Sequence, residues 1–183
     1  MKFLETPLKD AYVIELSPFQ DQRGLFARTF DKKLFESIHH FKEFVQFNHS
    51  INHLKGTLRG LHYQVPPNAE IKLVRCIRGR VYDVIVDARR DSPTFLQHLG
   101  VELSEHNMRM IYIPEGFAHG FQTLEDNTQM IYHHSDYYQP ESERGIRFSD
   151  PLLHIEWPLE PTVLSEKDGQ YELLTRDFAG IRL

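Results

Sequence analysis

A chain of 183 residues, 40% apolar and 12% aromatic, is long enough to bury one substantial core and short for two, so residues 1–183 are read as a single domain. A net charge of -5 gives no basic excess for gripping a nucleic-acid backbone, so an anionic ligand must be held locally. No apolar run reaches the roughly 18 to 20 residues of a membrane span, and the single cysteine, Cys76, has no internal disulfide partner; both suit a soluble protein of the reducing cytoplasm.

In chain order, the first strong local signal is Asp31, an N-cap residue ahead of a short helix over 32–40 that would set Leu34, Phe35 and Ile38 on one face against a sheet edge. Residues 56–64 (GTLRGLHYQ) set Arg59 between two glycines and follow it with His62. An arginine on such a turn offers a planar fork to phosphate, and a histidine titrates near neutral pH. A structural or surface histidine is the competing reading of His62. Residues 71–87 (IKLVRCIRGRVYDVIVD) alternate about Gly79 and read as a hairpin, with Lys72 on the inward face with Val74 and Cys76. A lysine there either snorkels from a strand end or is buried to place a charge. The mixed run 87–91 (DARRD) before Ser92-Pro93 reads as a solvent loop.

Further strands are expected at 100–103, 110–113, 128–134 and 145–148, separated by Pro, Gly, Asn and Asp. Many short strands in a chain of this size make an all-β sandwich or a double-sheet jelly roll with a few short helices. Residues 114–119 (PEGFAH) sharpen this, since Pro-x-Gly-x-x-His is the spacing of the second cupin motif. The metal set of that scaffold is incomplete: His62-Tyr63-Gln64 stands where His-x-His is expected, and Thr123 stands four residues after His119. Tyr132 shares a face with Met130 and His134. His133 and His134 point to opposite faces, so a solvated or partly packed pair is expected there rather than a metal site. Asp168, in the polar stretch 164–169, reads by itself as part of a solvated turn.

Taken together, FQDQRGLF (19–26), FVQFNHS (44–50), GTLRGLHYQ (56–64), KLVRC (72–76), SPTF (92–95), IPEGFAHGF (113–121), DYYQP (136–140) and LSEKD (164–168) resemble the dTDP-4-dehydrorhamnose 3,5-epimerase family over almost the whole chain. The resemblance implies a cupin-like jelly roll that uses no metal or cofactor. It implies a homodimer in which an N-terminal segment around Arg23 completes the neighbour's site. The implied substrate is a nucleoside-diphosphate 4-keto-6-deoxyhexose, epimerised at C3, C5 or both through an enolate. By the same resemblance His62 corresponds to the general base, Asp168 to its orienting carboxylate, Tyr132 to the general acid and Lys72 to the lysine beside the ketone. Arg23, Gln46, Asn48, Arg59, His119, Glu143 and Lys167 match residues that hold the sugar and diphosphate.

Two positions depart from the family pattern: Arg28 stands where a glutamate near the base is usual, and Phe47 replaces an aspartate. Arg28 suits the acceptors of cytosine better than the N3–H of thymine, which raises a CDP-linked substrate and C3-only inversion as an alternative. The other reading pairs Arg28 with a nearby carboxylate or the diphosphate. From other classes, a metal-dependent cupin oxygenase would need ligands beyond His62 and His119. A non-catalytic sugar-binding cupin would be expected to lack the base or the acid.

Overall fold

Alternation of apolar and polar residues, broken by turn formers, sets fourteen strands in the computed structural model, which describes residues 1–183. They are β1 Lys2–Glu5, β2 Tyr12–Glu15, β3 Phe19–Asp21, β4 Gly24–Phe26, β5 Gln46–Asn52, β6 Thr57–Gln64 and β7 Lys72–Arg78, followed by β8 Arg80–Asp87, β9 His98–Ser104, β10 Met110–Ile113, β11 Phe117–Thr123, β12 Thr128–His134, β13 Glu143–Gly145 and β14 Val163–Leu164. One sheet runs β1-β2-β10-β7-β12-β5 and the other β13-β6-β11-β8-β9, with β14 beside β6. A separate ribbon pairs β3 with β4. The two large sheets pack face to face as a cupin-like jelly roll, and no helix is long and apolar enough to cross a membrane.

The inner layer joins Val74, Cys76, Ile111, Ile113 and Met130 of the first sheet to Val81, Ile85, Leu103, Phe117 and Phe121 of the second. The outer face of the first sheet is closed by Phe35 over Ile14, Leu73, Met110 and Tyr112. The outer face of the second is closed by Ile146, Leu153 and Ile181 over Leu61, Val84 and Val86.

The chain does not fold residues 71–87 into a hairpin. β7 pairs with β10 and β12, whereas β8 pairs with β9 and β11. Both edges of each strand are occupied, so neither can bond the other, and the chain instead passes from one sheet to the other at Gly79. That glycine has φ +72°, and a Cβ on it would lie 2.6 Å from Thr128 Oγ1. A corner and a hairpin share one alternation pattern, which is why the sequence does not separate them. The inward setting of Lys72 with Val74 and Cys76 holds: Lys72 is buried, and Cys76 is fully so.

Asp31 caps helix α1, Lys32–Phe35, by accepting from the backbone N–H groups of Lys33 and Leu34. The helix tightens to a 3-10 turn over Glu36–Ile38 and ends at His39 in the left-handed region, short of residue 40. Phe35 is buried and Leu34 exposed, because one residue of offset turns a side chain about a quarter turn away. The helix covers a sheet face rather than its edge. The strand expected at 145–148 lies at Glu143–Gly145; Ile146 still exchanges both backbone bonds with Leu61 before a turn at Arg147–Asp150 takes over. The run 87–91 is a solvent loop only in part: Arg90 and Asp91 are exposed, whereas Asp87 and Ala88 are buried. Asp87 is fully buried and accepts from Arg89, Ser92 and Thr94.

Candidate active site

Between the sheets lies a cavity of about 510 Å³ whose walls come from β5, β6, β7, β11, β12 and the segment 163–168. The second sheet contributes His62 and His119, which are partners across β6 and β11. The first contributes Tyr132 and His134 of β12 and Lys72 of β7, with His134 opposite Lys72 in register. β6 and β11 approach closely where their register shifts, and a Cβ on Gly60 would lie 2.5 Å from the Gly120 Cα. Here the two glycines are a steric requirement.

His62 directs Nε2 to Asp168 Oδ1 at 2.6 Å, and the other carboxylate oxygen accepts from the Gly60 N–H at 3.2 Å. Asp168 is not on a solvated turn. Ser165 caps helix α2, Glu166–Gln170, and the one buried residue of that helix is Asp168. Burial pushes its pKa up, but the His62 hydrogen bond and charge, with the Gly60 and Ser165 contacts, outweigh that and hold it below the usual value. Nδ1 of His62 makes no hydrogen bond within the chain. With Nε2–H committed to Asp168, the free lone pair of a neutral ring is on Nδ1.

The opposite wall is built differently. Burial pushes the Tyr132 phenol well above its ordinary pKa, partly offset by its hydrogen bond with Ser50 at 3.1 Å and by the positive charge of Arg59, so Tyr132 stays protonated at neutral pH. Lys72 is buried, donates to the His62 carbonyl at 3.3 Å and faces Glu70 at 3.2 Å. Arg59 is exposed at the cavity; its Nε donates to Asn52 at 2.8 Å, and no carboxylate pairs with it. It therefore leaves a free guanidinium edge for an anion. Lys167 also lines the cavity and is bound to Glu143, which in turn accepts from Tyr138.

Of the residues singled out in the sequence, His62, Lys72, Tyr132, Asp168, Asn48, Arg59, His119 and Lys167 line this cavity. Gln46 and Glu143 stand one contact behind it, on Asn48 and Lys167. Arg23 and Arg28 do not reach the cavity of their own chain: Arg23 pairs with Asp21, and Arg28 with Asp31 at 2.5 Å. Within its own chain, then, Arg28 has a nearby carboxylate partner.

Sequence reasoning missed five polar residues around the cavity: Ser50, Asn52, Glu70, Asp83 and His134. His134 is buried and bonds Glu70 at 2.7 Å; it is no solvated residue, although it and His133 do point to opposite faces. Asp83 is fully buried and holds His119 Nε2 at 2.9 Å. Alternation could have found Asp83, a carboxylate placed in phase with Val81 and Ile85 on an inward face. No group of three or more His, Cys, Asp or Glu side chains comes together as a metal site would require.

The family model for dTDP-4-dehydrorhamnose 3,5-epimerase matches residues 5–176. The dTDP-4-dehydrorhamnose 3,5-epimerase of Shigella flexneri is 47% identical over 169 residues, which covers 92% of this chain and 93% of that protein. The Bacillus anthracis enzyme of the same name, solved with TDP and PPi bound, is 43% identical with a TM-score of 0.91, covering 94% of this chain and 99% of that one. A Legionella pneumophila dTDP-6-deoxy-D-glucose-3,5-epimerase in complex with dTDP-4-keto-L-rhamnose is 41% identical with a TM-score of 0.92, over 100% of this chain and 98% of that one. With the two-sheet fold and a cavity carrying eight of the twelve residues singled out, these likenesses show that the chain belongs to the dTDP-4-dehydrorhamnose 3,5-epimerase family, a family of isomerases.

Proposed function

We propose that this protein inverts C3 and C5 of a dTDP-linked 4-keto-6-deoxyhexose. The observation that carries the reading is the opposition of two unlike groups across one cavity: His62 backed by Asp168 on one sheet, and protonated Tyr132 on the other. Hydrogens at C3 and C5 are both α to the C4 ketone, so loss of either leaves an enolate whose charge rests on the same oxygen. His62 Nδ1 takes the proton from one face, and Asp168 stabilises the imidazolium that results. Tyr132 returns a proton to the opposite face. Lys72 stabilises the enolate oxygen, a contact whose loss costs roughly 3 to 4 kcal/mol of barrier. Arg59, Lys167, His119 and Asn48 hold the diphosphate and sugar, with Gln46 and Glu143 positioning them. The reading calls for no metal or cofactor. The relatives solved with TDP and a dTDP-sugar support thymidine over cytidine.

Residues 1–183 act as one domain in the cytoplasm, as a homodimer in which the ribbon carrying Arg23 completes the partner's site. Support comes from exposed apolar surface: Phe19, Leu25 and Phe26 on the ribbon, and Phe47 and Ile51 on the edge strand β5. Mixing the Arg23→Ala and His62→Ala proteins tests this. Shared sites recover activity in heterodimers, whereas self-contained sites recover none.

The reaction is tested by NMR of dTDP-4-keto-6-deoxyglucose incubated with the enzyme in deuterated water. Deuterium enters both C3 and C5, and His62→Ala slows this about 100-fold to 10,000-fold without unfolding the protein. Tyr132→Phe retains exchange but loses epimerised product. Exchange near the unmodified rate in folded His62→Ala would remove His62 as the base, and deuterium at C3 alone would reduce the reaction to one centre.

A further inference from the structure

Ser50, Asn52 and Arg59 belong to no role assigned so far beyond Arg59's contact with anions, yet they form a continuous line ending on Tyr132. We propose that this line is a hydrogen-bond chain of fixed polarity that aims the Tyr132 proton into the cavity. The inference rests on the reading of Tyr132 as the acid.

The polarity begins at Arg59. Its Nε can only donate, and it lies 2.8 Å from Asn52 Oδ1, so the amide oxygen is fixed on that side. The amide nitrogen therefore faces the other way, where it lies 3.2 Å from the Thr128 carbonyl oxygen and 3.4 Å from Ser50 Oγ. A carbonyl oxygen can only accept, so the orientation of the Asn52 amide is determined from both ends. Both of its N–H groups are then used, one of them on Ser50.

Ser50 Oγ has one further partner, the Tyr132 hydroxyl at 3.1 Å. The Ser50 proton needs an acceptor in a half-buried site, and the Tyr132 oxygen is the one within reach. Both hydroxyls border the cavity, but Ser50 Oγ already accepts from Asn52, which leaves its proton for the Tyr132 oxygen and the Tyr132 proton for the cavity. Ser50 therefore donates to Tyr132, and the phenol keeps its own proton for the substrate. When that proton moves, a C–H bond forms at the enolate carbon, the phenol O–H bond breaks and a phenolate remains. The Ser50 hydrogen bond strengthens as this charge develops, which opposes the burial that disfavours it. Between one inversion and the next, water returns a proton to the phenolate and takes the one held on the His62 imidazolium, so base and acid are both reset with no net change in protons. Ser50 and Asn52 sit two residues apart on β5, and Tyr132 lies on the adjacent strand, so one strand pair sets the whole line.

Three variants assayed with the dTDP-linked 4-keto sugar in deuterated water test the chain. Ser50→Ala deletes the donor and Ser50→Thr keeps it. Asn52→Asp keeps an acceptor for Arg59 but offers Ser50 an acceptor in place of a donor, which turns the Ser50 proton away from Tyr132. Solvent exchange in Ser50→Ala and Asn52→Asp is expected within a few-fold of the unmodified enzyme, while epimerised product falls roughly tenfold to a hundredfold. Ser50→Thr restores product. If Asn52→Asp does not fold, the contrast of Ser50→Ala with Ser50→Thr decides alone. Product at the unmodified rate in Ser50→Ala, or exchange and product falling in parallel, overturns the chain. If Tyr132→Phe still loses product in the same assay, the acid itself stands and this inference alone fails.

Discussion

Asp87 and Asp168 are both buried carboxylates with pKa values held below the ordinary range, and their surroundings separate structure from chemistry. Asp87 is saturated: Arg89 Nε at 2.9 Å, Arg89 Nη2 at 2.8 Å, Ser92 Oγ at 2.5 Å and Thr94 Oγ1 at 2.6 Å. Its cation is permanent, and every oxygen lone pair has a fixed donor. Asp168 has the Gly60 N–H on one oxygen and an imidazole on the other, and that imidazole borders the cavity. A buried carboxylate whose partner cannot change charge pins a loop. One whose partner can gain and lose a proton can serve a reaction.

The largest expected effect is at the second of these. In Asp168→Asn the Gly60 N–H still demands the side-chain oxygen, so the amide nitrogen turns to His62 and donates to Nε2. The ring proton moves to Nδ1, the atom that must be free, and turnover should fall on the order of 1,000-fold to 10,000-fold with little change in Tm. Steady-state kinetics and a melting curve check this; a loss of less than tenfold would mean that Asp168 does not set the tautomer.

Asp87→Ala should give the mirror image. Removing one partner of a buried ion pair costs about 3 kcal/mol, which for a chain of this size lowers Tm by roughly 6 to 12 °C. kcat and KM at 25 °C should stay near the unmodified values. A folded Asp87→Ala protein of unchanged Tm but lost turnover would erase the distinction.

The smallest effect is the acid limb of stability. Both carboxyls have folded pKa values below the ordinary aspartate value of 3.8, so between the folded value and 3.8 the unfolded chain binds more protons and stability rises with pH. Their contribution is present above pH 3.8 and is lost as pH falls through the folded values. Tm measured from pH 5 downwards should therefore drop below about pH 4, with a shallower slope in Asp87→Ala than in the unmodified protein. Equal slopes in the two proteins would show that Asp87 contributes nothing to acid unfolding.

Much of this was legible in the chain. Strands β10 and β12 fall where alternation places them, Asp31 caps its helix, and the motif residues His62, Lys72, His119, Tyr132 and Asp168 meet in one cavity. The strands and the cap are local properties, a side chain's period along its own strand and a cap beside its own helix, whereas the grouping of the five site residues is what the family resemblance implies. What alternation cannot state is which strand lies across the sandwich, because a strand's period is the same whichever partner it finds. Tertiary structure alone decided that Gly79 is a corner and that Asp87 is an internal hub, while the meeting of Asp168 with His62 from 106 residues away was implied by the family resemblance and by no local pattern. Tertiary structure also turned His134 and Glu70 towards each other and set Ser50 beside Tyr132. Those contacts follow from strand order and from the need to satisfy every polar group the two sheets enclose, and neither is a property of any one segment.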